Sequence, residues 1–264
     1  MPTPTEDAKH QLNDAAANIP VLFLGGAGLP AWMWDDVRAD LTQHTDSAVV
    51  QYPRAHVRGS KISLADYADA AAEQAPWSTF AVVAHSSGGV VATSLLSRHP
   101  GRVAGILGIA AVIPRPGHSF VTTMPFPTRL VLGAVIRAAG TRPPAKAIRA
   151  MARGLPDAVA DRIVADFDPE SVRLYSDPAP ARDLPAARGY LRGSDDEELP
   201  ARVLRSSAET LQAAWNEELS TGHLPMLQDP AGVSRAVRRL LAAATSNPRE
   251  PCFCPPAGPQ DPAR

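Results

Sequence analysis

Phe80-Ala81-Val82-Val83-Ala84 is apolar throughout, His85-Ser86-Ser87-Gly88-Gly89 follows it, and Val90-Val91-Ala92 opens a second apolar segment that favours helix. This succession predicts a strand, a sharp turn and a helix with no connecting loop. A serine at such a turn is lifted clear of the sheet and presented to whatever lies beyond the strand ends. Strand and helix then cross so closely that small residues are wanted two positions either side of Ser86, where Ala84 and Gly88 stand. The same letters also fit an ordinary strand-to-helix turn with serine as the helix N-cap. The two readings part on what the other strand ends carry.

Strands and helices alternate around this turn. Ile19–Leu24 reads as a buried strand ending in Gly25-Gly26-Ala27-Gly28, and Asp35–Leu41 as a helix. Ser47–Tyr52 is a strand closed by Pro53, and a helix to Glu73 is capped by Ser63. Gly105–Ile113 is a further strand. Such strands are too apolar to face water on either side, which implies an α/β fold, a mostly parallel sheet covered by helices on both faces. Ligands bind beyond the carboxyl ends of the strands in these sheets. The glycine turn and Ser86 share that location. A dinucleotide-phosphate loop is the rival reading of the glycine turn, but Gly26-x-Gly28 is followed by Ala31, and no Lys-Ser/Thr of a P-loop is present.

The alternation stops at Pro114 and resumes near Pro185. The segment 114–184, interrupted by prolines, shows helical apolar faces over Thr128–Ala139 and Pro156–Phe167, and is expected to form a helical cap over the strand ends. Ala187–Arg192 then reads as a strand, Glu198–Gln212 as a helix and Trp215–Ser220 as the last strand. Asp229 and Pro230 start the final helix as cap and first residue. The expected organisation is a loose lead over 1–18, a core of 19–113 and 185–245 interrupted by the cap, and a Pro-rich tail over 246–264 in which no structure is expected.

Composition narrows the function. With 45% hydrophobic residues the chain can bury a sizeable core, and Lys+Arg 26 against Asp+Glu 27 leaves a net charge of −1. Neither nucleic acid nor a polybasic membrane surface is indicated, and an aromatic content of 5% supplies no base-stacking platform. The 2 cysteines, Cys252 and Cys254, both lie in the tail, so no disulfide framework is expected, and two ligands do not make a zinc site. No apolar run reaches membrane-spanning length, and the N-terminus lacks a signal layout. A cytoplasmic location is expected.

Three strand ends therefore carry Ser86, the pair Asp195-Asp196 and His223, in that order. Serine is a weak nucleophile until a base takes its proton, histidine does this near neutral pH, and a carboxylate on the far ring nitrogen fixes the tautomer. The sequence resembles the α/β-hydrolase fold family from about Ile19 to Thr245. Four segments carry the resemblance: Leu24-Gly25-Gly26-Ala27 with Trp34 downstream, Ala84-His85-Ser86-Ser87-Gly88-Gly89, Gly193-Ser194-Asp195-Asp196 with Pro200, and Gly222-His223-Leu224-Pro225-Met226-Leu227. It implies a Ser86–His223–Asp196 triad, with Asp195 the alternative acid, and an oxyanion hole made by the backbone amides of Ala27 and Ser87. Gly25 stands where many members have His, so support for the glycine turn is expected to come from elsewhere. Gly26, Trp32, His85 and Leu224 are expected near a pocket, His85 more for packing or hydrogen bonding within the elbow than for chemistry.

The implied activity is hydrolysis of a small, largely apolar ester, with a small-molecule substrate and no metal or organic cofactor. The same triad on this fold also serves C–C bond hydrolases, cofactor-free haloperoxidases and lyases, and a non-catalytic small-ligand receptor is a further alternative. A hydroxynitrile lyase would want a lysine near the triad. The chain has only Lys9, Lys61 and Lys146, none near a catalytic segment.

Overall fold

The computed structural model describes residues 19–53 and 61–246. The expected lead, the Pro-rich tail and the Cys252/Cys254 pair lie outside the described residues, apart from Ser246. Six strands form one parallel sheet in the order β2-β1-β3-β4-β5-β6. They are β1 (Val21–Leu24), β2 (Ser47–Val49), β3 (Phe80–His85), β4 (Val103–Ile109), β5 (Ala187–Gly193) and β6 (Trp215–Leu219). After β1 the chain first goes outward to β2, then returns to place β3 on the opposite side of β1. The two strands flanking that reversal are the ones ending in the glycine turn and in Ser86, so the crevice opens where a parallel sheet binds its ligands.

Burial on both faces explains why β1, β4 and β3 as far as Ala84 carry no charged residue. Leu22, Leu24, Phe80, Val82 and Ile106 face one layer, where α2 (Leu64–Gln74), α3 (Gly88–Arg98) and α9 (Ala201–Thr210) pack. Val21, Phe23, Ala81, Val83 and Leu107 face the other, against α1 (Asp35–Leu41) and α11 (Pro230–Thr245). The edge strand β6 alternates half-buried with exposed positions and carries Glu217 and Glu218 outward, paired with Arg239 and Arg192. Charge on an edge strand discourages pairing with another chain.

Local chemistry sets the element ends. Ser63 and Asp66 form a reciprocal capping box on α2, with Asp66 N–H to Ser63 Oγ at 3.2 Å and Ser63 N–H to Asp66 Oδ2 at 2.7 Å. Asp229 caps α11 by accepting from Gly232 N–H at 2.8 Å, with Pro230 in the first turn. Three boundaries differ from the sequence reading by three residues or more, the others by at most two. β4 ends at Ile109 rather than Ile113, because Ala110 adopts φ 42° and turns the chain off the sheet. β2 ends at Val49 rather than Tyr52. α9 begins at Ala201 rather than Glu198, because Asp196 Oδ1 takes the amides of Glu198 and Leu199 into a side-chain turn ahead of Pro200.

Between Ile113 and Ala187 there are five helices and, among the described residues, no strand: α4 (Phe120–Thr123), α5 (Thr128–Ala139), α6 (Ala145–Met151), α7 (Asp157–Asp166) and α8 (Val172–Ser176). Helix α5 is anchored through Ile136 and leaves Leu130, Val131 and Val135 exposed. The segment after α7 lies on the glycine turn, where Asp168 N–H donates to Gly28 O at 2.9 Å. On the other side of the crevice, Arg153 O accepts from Gln228 Nε2 at 2.8 Å, in the short helix α10 (Pro225–Gln228) that follows His223. No helix among the described residues is long and apolar enough to cross a membrane.

Candidate active site

At the end of β3 the backbone turns at Ser86 with φ 51°. A residue with a Cβ pays about 1–3 kcal/mol for this region, so the surroundings must enforce it. Ser86 N–H donates to Ile109 O at 3.2 Å, and Ser86 O accepts from Val112 N–H at 3.0 Å and Gly89 N–H at 3.1 Å. Helix α3 then passes over the end of β1 so closely that a Cβ on Gly88 would run into the carbonyl oxygens of Leu24 and Gly25. This contact is the physical reason for a small residue two positions after the serine. The serine sits at the N-terminus of an eleven-residue helix whose dipole favours negative charge there.

His223 comes from the loop after β6, and Asp196 from the loop after β5. Ser194 N–H donates to Leu219 O at 2.8 Å and Asp195 N–H to Thr221 O at 3.0 Å, which stitches the two loops together. His223 Nε2 lies 3.1 Å from Ser86 Oγ and its Nδ1 lies 2.9 Å from Asp196 Oδ2. The side chains of His223 and Asp196 are almost fully buried. Burial works to raise the Asp196 carboxyl, but the hydrogen bond and charge of His223 and the amides of Glu198 and Leu199 outweigh it and hold it below the usual carboxylate range. Asp195 is exposed and accepts from Ser194 Oγ at 3.0 Å. The carboxylate that faces the histidine is Asp196.

His85 lies behind this line. It is buried, with its ring 4.9 Å from that of His223 and its Nε2 2.9 Å from His223 O. Burial, helped by the His223 charge, drives its pKa down to about 3. The ring is therefore neutral, and because a carbonyl only accepts, Nε2 carries the proton. The folded pKa lies below the ordinary 6.5, so protonation favours the unfolded chain, and this contribution to stability is lost as pH falls from 6.5 towards 3. The slope for one such proton is about 1.4 kcal/mol per pH unit. His85→Gln should flatten the stability loss between pH 7 and about pH 5.5 by up to this amount. Urea unfolding at the two pH values reads it, and identical slopes in the two proteins would remove His85 as the cause.

The glycine turn brings Ala27, with φ 29°, against the elbow. A Cβ on Gly26 would lie 2.6 Å from Ser86 Cβ, so this position tolerates no side chain. Ser87 N–H makes no hydrogen bond among the described residues and is open as a donor. Ala27 N–H is engaged, donating to Ser87 Oγ at 2.7 Å. A cavity of about 370 Å³ beside the turn is walled by Leu29, Pro30, Ala31, Trp34, Val49 and Val50, with Glu170 among its polar residues. A second, of about 180 Å³, is lined by His223, Gly222 and Met151.

Of the four residues expected around a pocket, none lines either cavity. Gly26, His85 and Leu224 are buried in packing, and Trp32 binds the insertion through Nε1–H to Asp166 Oδ2 at 2.9 Å, with Arg162 stacked 4.0 Å over its ring. Trp34 lines the larger cavity instead. Glu170 and Tyr175, both buried against the turn, carry no motif that would single them out in the sequence. Among the described residues no group of three His, Cys, Asp or Glu side chains is arranged to hold a metal.

The arrangement is a hydroxyl, an imidazole and a carboxylate in line at a helix N-terminus, and it supports nucleophilic attack with proton transfer. No curated protein sequence matches the chain. Its structure is similar to an extracellular alpha/beta-hydrolase from a Paenibacillus species, described as sharing structural and functional homology with tobacco salicylic acid binding protein 2. The identity is 16%, with a TM-score of 0.70 over 84% of this chain and 98% of that one. A pyrethroid hydrolase from Sphingobium faniae JZ-2 is similar at 19% identity and a TM-score of 0.68, over 87% of this chain and 100% of that one. A thermophilic esterase from Thermogutta terrifontis is similar at 19% identity and a TM-score of 0.65, over 86% and 90%. At these identities the likeness shows the fold. The sequence model of the alpha/beta hydrolase family matches residues 21–236, most of the chain. The chain belongs to the alpha/beta hydrolase family.

Proposed function

We propose that the protein is a serine hydrolase of small, largely apolar carboxylic esters. The observation that carries this reading is the line Ser86 Oγ, His223, Asp196, with separations of 3.1 Å and 2.9 Å. His223 Nε2 takes the proton as Ser86 Oγ attacks the ester carbonyl carbon. The same nitrogen returns it to the departing alkoxide, leaving an acyl group on Ser86. Water, activated by His223, then attacks the acyl carbonyl and regenerates the serine. Asp196 holds Nδ1–H and favours the tautomer with a free lone pair on Nε2.

Negative charge developing on the carbonyl oxygen is met by Ser87 N–H and Ala27 N–H, the latter once the substrate oxygen displaces Ser87 Oγ. An esterase and a pyrethroid hydrolase stand among the similar structures, in keeping with ester cleavage.

Incubation with an alkyl fluorophosphonate and peptide mass spectrometry should locate one adduct, on Ser86, and p-nitrophenyl acetate and butyrate should be turned over. An unlabelled Ser86 together with no turnover would favour a ligand receptor instead.

A further inference from the structure

Glu170 of the insertion is a buried carboxyl beside this site, outside the Ser86–His223–Asp196 line. It is 5% exposed, yet both its oxygens are occupied. Oε1 accepts from Gly28 N–H at 2.5 Å and Oε2 from the Tyr175 hydroxyl at 2.9 Å. Tyr175 in turn lies against Ser87, whose Oγ accepts Ala27 N–H. The contacts close a ring. Of two consecutive amides of the glycine turn, Gly28 is held by the carboxylate directly, and Ala27 by the Ser87 hydroxyl that Tyr175 backs.

The insertion also holds Gly28 by its carbonyl, through Asp168 N–H, and Ser171 is pinned from below by its N–H to the Tyr67 hydroxyl at 2.7 Å. A buried carboxyl is sustained only where donors replace its water; burial pushes the Glu170 carboxyl up, and the Gly28 amide and Tyr175 hydroxyl pull against that shift. The proton transfers of ester cleavage do not use this group. The glycine turn lacks the histidine expected at Gly25 as its support, and the ring supplies that support from the insertion.

We propose, on the ester-hydrolase reading above, that Glu170 is a positioning residue: it aims the amides of Ala27 and Gly28 and makes the oxyanion site depend on a seated insertion. Ser87 Oγ holds the Ala27 amide in the free protein. The incoming carbonyl oxygen replaces it there, and Ser87 turns to the Tyr175 hydroxyl beside it, so its own hydroxyl leaves the substrate's way.

Three full-length variants test this, Glu170→Ala, Glu170→Gln and Tyr175→Phe. They are read by hydrogen exchange over residues 24–30, by p-nitrophenyl butyrate kinetics and by binding of butylboronic acid, whose serine adduct mimics the tetrahedral intermediate. Glu170→Ala should speed exchange of the turn amides and lower kcat by about 10- to 100-fold with KM little changed, the size expected from a misaimed group. Boronate affinity should fall with kcat. Gln, which keeps an oxygen for Gly28 and a polar partner for Tyr175, should recover most of both. Tyr175→Phe, which removes one hydroxyl, should release Ala27 more than Gly28.

Unchanged exchange in both Glu170→Ala and Tyr175→Phe would overturn the ring. Faster exchange with unchanged kcat and boronate affinity would overturn the positioning role, as would a loss in Glu170→Ala that merely follows a loss of folded protein while Tyr175→Phe stays fully active. Wild-type turnover that survives Ser86→Ala would sink the hydrolase reading and the catalytic role with it, while the exchange data would still report on the ring.

Discussion

Replacing Ser86 by Ala should lower kcat/KM for p-nitrophenyl butyrate by about 10,000-fold or more, the scale seen when the nucleophile of a serine–histidine–carboxylate group is removed. The loss would come from chemistry and not from folding. Alanine keeps the Cβ, so the strain at φ 51° is neither relieved nor increased, and the backbone bonds to Ile109, Val112 and Gly89 do not involve the hydroxyl. Among the described residues the hydroxyl removed hydrogen-bonds only to His223 Nε2, which a water can serve in its place. Unfolding free energy should therefore stay within about 1 kcal/mol of wild type, the range of substitutions that open no large cavity and orphan no buried group. Equal turnover in the two proteins, measured on preparations free of host esterase, would end the assignment of Ser86.

The residues most legible in the sequence are those whose signals are local. Ser86 is announced by the apolar run before it and the glycines after it, and the caps at Ser63 and Asp229 by residues three or fewer positions away. His223 and the Asp195-Asp196 pair needed only the further rule that ligands meet at strand ends. Glu170 carries no such signal. It is one of three acids in Asp166-Phe167-Asp168-Pro169-Glu170, and what gives it meaning is Gly28, 142 residues away in the chain.

Tyr175 and the engagement of Ala27 by Ser87 are invisible for the same reason, since each depends on how the insertion lies on the turn. The misplaced boundaries have a related cause. Ile109 to Ile113 is apolar enough for a strand, and only the left-handed Ala110 shows that the segment leaves the sheet to pack against the elbow. Apolar pattern records burial, and a buried irregular segment reads like a strand.

The second large effect separates two adjacent carboxylates. Asp196→Asn should cost about 10,000-fold in kcat, on the scale of removing the acid of a triad without moving it, while Asp195→Asn should leave kcat nearly unchanged. The reason lies in the amides of Glu198 and Leu199, which donate to Asp196 Oδ1. An asparagine in this place must offer its oxygen to those amides, which turns its NH2 towards His223 Nδ1. Nδ1 then has to accept, the ring proton moves to Nε2, and Nε2 can no longer take the proton of Ser86. Asp196→Asn thus traps the wrong tautomer through a hydrogen-bond constraint two residues downstream.

Asp195, by contrast, is exposed, and its contributions are a backbone N–H to Thr221 O and an oxygen that accepts from Ser194 Oγ, both of which asparagine retains. Raising the pH should not restore Asp196→Asn, since an amide has no proton to lose in this range. Large loss in Asp195→Asn with an active Asp196→Asn would transfer the role to the neighbour and show that the histidine loop docks one residue out of register from the arrangement described.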